Sequence, residues 1–263
     1  MITRVHHVGL VVRELDGAYG FWRDALGLPL IREAALPDQG VRAALLACGS
    51  CEIELLEPTT ADGGVARFLA RRGEGPHHLC FESDDVRREV SRFLGTGVDM
   101  IDVAPRPGLA GTIAFLHPRA SGGILCEVAT PPDHVPLPEA PAAVTTVHLL
   151  VEDVRAAATL YGDLFNLPLG LHRPDWSIAQ LPIGGVALHL SPVAPAGAKP
   201  GLSGLRLGTP DVDALAARFD AHGIAYRRGP FGLALASTAA RGAPLVIHPT
   251  PHSREPQRQE GQA

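Results

Sequence analysis

Positive charge is scarce in this sequence: 23 Lys and Arg face 28 Asp and Glu over 263 residues, a formal charge of −5. Chains that bind nucleic acid normally carry a basic surplus, so that class is set aside. Lysine is nearly absent, Lys199 standing alone among the arginines. With the many Ala, Gly and Pro, this reads as base composition rather than function. No apolar run reaches the roughly 18 residues needed to cross a bilayer. Residues 1–7 carry no signal-peptide pattern, so the expectation is a cytoplasmic protein with no membrane partner. Cysteine is limited to Cys48, Cys51, Cys80 and Cys126, too few and too scattered for a disulfide scaffold. The C-x-x-C spacing of Cys48 and Cys51 falls in a predicted hairpin turn, has no second pair, and reads as accidental.

Apolar material is ample, at 46% of residues, enough for one large domain or two small ones. Five prolines in the eleven residues 131–141 predict an extended linker. The polar end predicts a frayed tail. The chain thus divides into domains at 1–130 and 144–250, a linker at 131–143 and a disordered tail at 251–263. The first half reads as strand, helix and strands, twice. A strand at 5–12 leads to a helix from Asp16 to about Leu26, ended by Gly27. Strands follow near 29–32, 41–47 and 51–56, then a joining helix at 65–71. The order restarts with a strand at 79–81, a helix capped by Asp84 or Asp85, and strands near 98–101, 112–116 and 124–128. The second half repeats the pattern: Leu26-Gly27-Leu28-Pro29-Leu30 matches Phe165-Asn166-Leu167-Pro168-Leu169, and Asp84-Asp85-Val86 matches Pro210-Asp211-Val212. The repeat predicts an α+β fold of four βαβββ modules, forming two tandem domains with curved mixed sheets.

Four polar residues interrupt otherwise apolar strands of the first half: His7, Glu54, His78 and Glu127. They fall on the first and last strands of each module. Strand side chains alternate, so Ile53 and Leu55 face away from Glu54, and Cys126 and Val128 away from Glu127. If the two modules pair into one curved sheet, all four converge on its concave face. Two imidazoles and two carboxylates make an N/O donor set for a divalent ion, and a cation offsets the cost of burying two carboxylates together. Taken singly, His6 and His77 read as ordinary polar sheet residues.

These stretches carry a resemblance: His7-Val8-Gly9-Leu10-Val11-Val12, Glu52-Ile53-Glu54-Leu55-Leu56-Glu57-Pro58, Gly75-Pro76-His77-His78-Leu79-Cys80-Phe81-Glu82, Leu116-His117-Pro118 and Gly122-Gly123-Ile124-Leu125-Cys126-Glu127. Residues 1–130 resemble the vicinal-oxygen-chelate (glyoxalase/bleomycin-resistance) superfamily, and within it the methylmalonyl-CoA epimerases. The resemblance implies one divalent metal ion per chain, Co, Mn, Ni, Zn or Fe, held by His7, Glu54, His78 and Glu127. It implies a small-molecule substrate, an acyl-CoA or related carbonyl acid, and leaves a homodimer open. The implied reaction is 1,1-proton transfer at a carbon α to a thioester, with Glu127 as first base. A carboxylate that one bacterial form of the family carries after a Gln-Gly-Val stretch is missing, since Gln39-Gly40-Val41 is followed by Arg42 and Ala43. Glu52, on the strand face of Glu54, is the substitute expected for it.

The second half departs from this set. Ungapped alignment places Thr146 at the His7 position, His189 at Glu54, Gly204 at His78 and Ile247 at Glu127, with His148 and His248 nearby. A degenerate repeat fits better than a second metal site of His148, His189 and His248, and the half is expected to serve as interface, lid or substrate wall. Three alternatives to the epimerase remain: a glyoxalase-type lyase, an extradiol-type dioxygenase, and a metal-free small-molecule binding or resistance protein. The Leu116-His117-Pro118 stretch argues against the first. Of the arginine pairs, Arg71-Arg72 and Arg87-Arg88 read as solvated helix faces, one of which could meet a CoA phosphate.

Overall fold

The computed structural model describes residues 1–132, 136–193 and 199–250. The predicted tail, and 133–135 of the predicted linker, lie outside the described residues. The first module runs β1 (Ile2–Val11), α1 (Leu15–Tyr19) with a π-helical turn (Gly20–Ala25), β2 (Leu30–Leu36), β3 (Val41–Cys48) and β4 (Cys51–Pro58). Helix α2 (Gly64–Arg72) joins it to the second: β5 (Gly75–Ser83), α3 (Val86–Gly95), β6 (Arg106–Gly108), β7 (Gly111–Leu116) and β8 (Leu125–Thr130). The third module has β9 (Ala143–Val151), α4 (Val154–Phe165), β10 (Ala179–Ile183) and β11 (Val186–Pro192); the fourth has β12 (Gly201–Thr209), α5 (Val212–Ala221), β13 (Arg227–Gly229), β14 (Gly232–Leu235) and β15 (Leu245–Pro249).

Two mixed sheets result. The first has the order β2-β3-β4-β1-β5-β8-β7-β6, and the second β10-β11-β9-β12-β15-β14-β13. At the centre of the first, β1 and β5 run antiparallel, each with a parallel neighbour, β4 or β8. The strands bearing His7, Glu54, His78 and Glu127 are therefore the four central ones, β1, β4, β5 and β8.

Local chemistry explains most elements. Asp85, Asp153 and Asp211 cap α3, α4 and α5, their side chains accepting from the N–H groups of Arg88, Ala156 and Ala214. Helix α1 is the exception. It begins at Leu15, Asp16 lies inside its first turn, and the Leu15 N–H donates to the Glu57 carboxylate of β4 at 2.8 Å. A cap supplied from a distant strand replaces the local cap expected at Asp16. The strand expected at 98–101 is reduced to one bridge, Met100 to Leu116. Asp102 takes the Phe115 N–H at 2.9 Å, and the chain pairs with β7 only at β6. The third module is one strand short. Its counterpart of β2, interrupted by Pro168 and Pro174, keeps a single bridge from His172 to Ala179.

One contiguous core contains the inward side chains of both sheets and of the four module helices. Phe81 stacks on Phe165 with centroids 4.2 Å apart. Two arginines close the contact in related ways. Arg92 of α3 donates to the Leu164 carbonyl at the end of α4 (2.6 Å), and Arg218 of α5 donates to the Asp24 and Ala25 carbonyls at the end of the first helix. Each meets the negative end of a helix from the other half.

Candidate metal centre

Strand alternation alone would turn His6 and His77 away from His7 and His78. Two β-bulges prevent this. Between Val5 and His7, β1 carries one residue more than β5, and between His78 and Pro76, β5 carries one more than β1. The extra residues are His6 and His77, so both histidine doublets turn toward the concave side. The second sheet repeats the bulges, with Thr145 and Ser203 as the extra residues.

The four central residues converge. The Nε2 atoms of His7 and His78 lie 2.9 Å apart. Glu54 Oε2 is 3.4 Å from His7 and 3.3 Å from His78, and Glu127 Oε2 is 3.3 Å and 3.0 Å from the same atoms. All four residues are buried. Donors about 2.1 Å from a common ion stand about 3.0 Å apart when octahedral and about 3.4 Å when tetrahedral. The observed spacings fall in that range. Among the described residues, no Arg or Lys pairs with either carboxylate. Two buried carboxylates thus share one cluster with imidazoles alone, a charge deficit that a divalent cation fills. The donor set fits such an ion.

The outer neighbours of the two rings complete the cluster. His6 Nδ1 lies 2.9 Å from His7 Nδ1, and His77 Nδ1 lies 3.0 Å from His78 Nδ1. Burial and then His7 push His6 well below the usual imidazole range; burial and then His78 push His77 down to about 3. Both rings are therefore neutral and can accept the Nδ1 protons of His7 and His78, which directs the Nε2 atoms inward. Burial would lower His78 too, but its hydrogen bonds with Glu127 and Glu54 raise it to about 9. Burial opposes charge on Glu127, yet the hydrogen bonds to His7 and His78 win and hold it well below the carboxylate range.

Without an ion, then, His78 keeps its proton at neutral pH. A metal must expel it, so cobalt binding is expected to release one proton at pH 7.5 and to tighten about tenfold per pH unit up to about pH 9. Titration calorimetry in buffers of different ionisation enthalpy reads this directly, and a pH-independent affinity would contradict it.

Glu52 does not join the four. Its carboxylate lies 3.4 Å from His6 and 3.7 Å from Arg4, two residues down β4, and it does not line the cavity. Burial raises its pKa. The position of the missing family carboxylate, Ala43, packs in an apolar cluster with Val41, Leu45, Leu56 and Leu109. Glu54, His78 and Glu127 instead open onto a cavity of about 800 Å³, which His77, Phe68, Phe115 and Arg106 also line. Arg71 and Arg72 of α2 reach its wall, whereas Arg87 and Arg88 do not. Among the described residues, none from the second half lines it, so the lid or wall expected from that half is not seen. Cys48 and Cys51 face each other across the β3–β4 turn, as expected, and are buried free thiols.

The second sheet lacks the set. His148 pairs with His189 in register, their rings 4.8 Å apart. Ile247 is not at the Glu127 position. It points into the core, and Val246, opposite Arg206 as Glu127 is opposite Cys80, takes that place. The ungapped alignment had slipped by one residue, which in a strand exchanges the two faces.

Family models described as the glyoxalase/bleomycin resistance protein/dioxygenase superfamily match residues 6–115 and 143–232. The uncharacterized protein YqjC of Bacillus subtilis is 34% identical over 131 residues, covering 49% of this chain and 94% of its own length. The mitochondrial methylmalonyl-CoA epimerase of Mus musculus is 32% identical over 129 residues, 48% of this chain and 72% of that one. A mutant 4-hydroxymandelate synthase from Streptomyces coelicolor shares the two-sheet fold, with a TM-score of 0.68 at 22% identity over 87% of this chain and 77% of that one.

Proposed function

Because the chain belongs to the glyoxalase/bleomycin resistance protein/dioxygenase superfamily, we propose that it is a metal-dependent enzyme that enolises a 2-carboxyacyl thioester of coenzyme A, as an epimerase does. The observation that carries this reading is the buried convergence of His7, Glu54, His78 and Glu127 at the floor of a cavity large enough for a small acyl group and its arm. The epimerases among its relatives support the substrate class.

In this reading those four side chains hold one divalent ion. When bound, it supplies Lewis-acid stabilisation of the charge that develops on the thioester oxygen. Glu127 is the base. The α C–H bond breaks, its proton passes to the Glu127 carboxylate, and the electron pair moves into the thioester carbonyl to give an enolate. Return of a proton to either face of the planar carbon regenerates the thioester, and return to the opposite face inverts it. His6 and His77 keep the two ligand rings turned inward. The apolar cluster of Val41, Leu56 and Leu109 limits water at one wall. Glu52, facing Arg4 and His6, has no place in the step.

Proton NMR of methylmalonyl-CoA in D2O with cobalt-loaded protein tests the reading. Loss of the C2 proton signal is expected, and His78→Ala is expected to abolish it together with metal binding. Absence of exchange in protein shown to hold its metal sinks the assignment and favours another chelated substrate or simple binding.

A further inference from the structure

Arg106 stands on the edge strand β6, opposite Ile113 of β7, and lines the same cavity as Glu54, His78 and Glu127. Its Nε donates to Asp102 Oδ1 at 3.1 Å. The other oxygen of Asp102 accepts the Phe115 N–H at 2.9 Å, so the anchor is itself fixed. The guanidinium carbon lies 5.6 Å from the centroid of the Phe115 ring, and that ring meets His78 edge-on at 5.4 Å. Phe115 is therefore the one layer between Arg106 and the histidine–glutamate cluster. The Nη1 atom of Arg106 is buried and has no hydrogen-bond partner among the described residues. A charged N–H group left dry without an acceptor is costly, and native folds keep few of them. The acceptor has to arrive through the cavity.

We infer that Arg106 receives a carboxylate of the substrate, one aromatic ring away from the cluster, and so sets the cavity's preference for acyl groups that carry an acid. The guanidinium fork matches the two oxygens of a carboxylate, and stacking on Phe115 fixes its plane. A CoA phosphate is the other source of an oxyanion. It suits the exposed Arg71 at the cavity wall better than a buried Nη1, and the diphosphate lies a whole pantetheine arm from the reacting carbon. This inference rests on the proposed function for its reacting centre, but its test does not need turnover.

The probes are glutarate and pentanoate, equal in chain length and differing by one carboxylate, titrated by calorimetry into cobalt-loaded protein. The wild type is expected to bind glutarate at least tenfold more tightly. Arg106→Met is expected to bring the ratio close to one, and Arg106→Lys, which keeps the charge but not the fork, to recover part of it. A wild type without preference, or Arg106→Met with the wild-type ratio, overturns the inference. Repeating the comparison with glutaryl-CoA, pentanoyl-CoA and free CoA separates the sources: a loss for all three esters and CoA alike assigns Arg106 to phosphate and overturns it. Should thioester exchange fail while the acid preference stands, the enolisation reading falls and the carboxylate site remains. Metal-free melting curves of both variants control for folding.

Discussion

Glu127→Gln is expected to lower α-proton exchange by about a thousandfold or more, while Glu54→Gln keeps most of it. Loss of a positioned general base costs on the order of 10²–10⁴ in rate. Both substitutions remove one buried carboxylate from the same cluster, keep an oxygen donor and preserve side-chain volume. Glu127 and Glu54 both lie within 3.4 Å of the two Nε2 atoms. Loss of charge at the cluster is thus matched between the variants. They differ only in which carboxylate can take the α-proton. The amide at position 127 cannot accept it, whereas the amide at position 54 need only supply an oxygen. Exchange is read by the NMR assay, with cobalt content and affinity measured on the same samples. Both variants are expected to bind the ion more weakly than the wild type, by similar factors. Equal losses of exchange at saturating metal in the two variants would falsify the assignment of Glu127 as base.

The same four residues were legible in the sequence because they break apolar strands at equivalent places in two modules. Period-two alternation and the module repeat are enough to put them on one face. The partners His6 and His77 were not legible, because the residues that carry the bulges obey no alternation. The only written hint is that both doublets are His-His, at 6–7 and 77–78. Asp85 and Asp211 announced their helices through a local hydrogen bond, whereas α1 takes its cap from Glu57, 42 residues on, a contact that no window along the chain contains. The slip at Ile247 has the same origin. Burial alternates along β15, with Leu245 and Ile247 inside, and that pattern rather than an ungapped count decides which residue faces the concave side. Arg106 was overlooked because an arginine beside two prolines in a loop-like stretch looks solvated. Its anchor on Asp102 and its layer over Phe115 exist only once β6, β7 and the 98–102 segment are assembled.

Gly9→Ala is expected to lower cobalt affinity at least a hundredfold and to destabilise the metal-free fold by about 1–3 kcal/mol, the usual cost of overpacking. Gly9 pairs with Glu54 on one side and with His78 on the other. Its backbone needs no left-handed conformation, so the glycine is there for space. A methyl group at this position would stand 2.2 Å from Cε1 and 2.3 Å from Nδ1 of His78. The ring lies over the bare α-carbon and cannot slide away freely, because His77, Glu54 and Glu127 hold both its nitrogens. The second sheet shows the reverse solution. There the residue paired with both neighbours is His148, and the position of His78 is Gly204. Bulk on one central strand is matched by a glycine on the other, so only one of the two arrangements leaves room for an imidazole at the β5 position. Gly20→Ala is the control, since a Cβ there meets nothing within 4 Å and Ala favours a helical turn. It is expected to melt at or slightly above the wild-type temperature and to bind cobalt normally. A Gly9→Ala protein that held cobalt as tightly as the wild type would show that His78 is not kept in place by that gap, and would remove His78 from the ligand set.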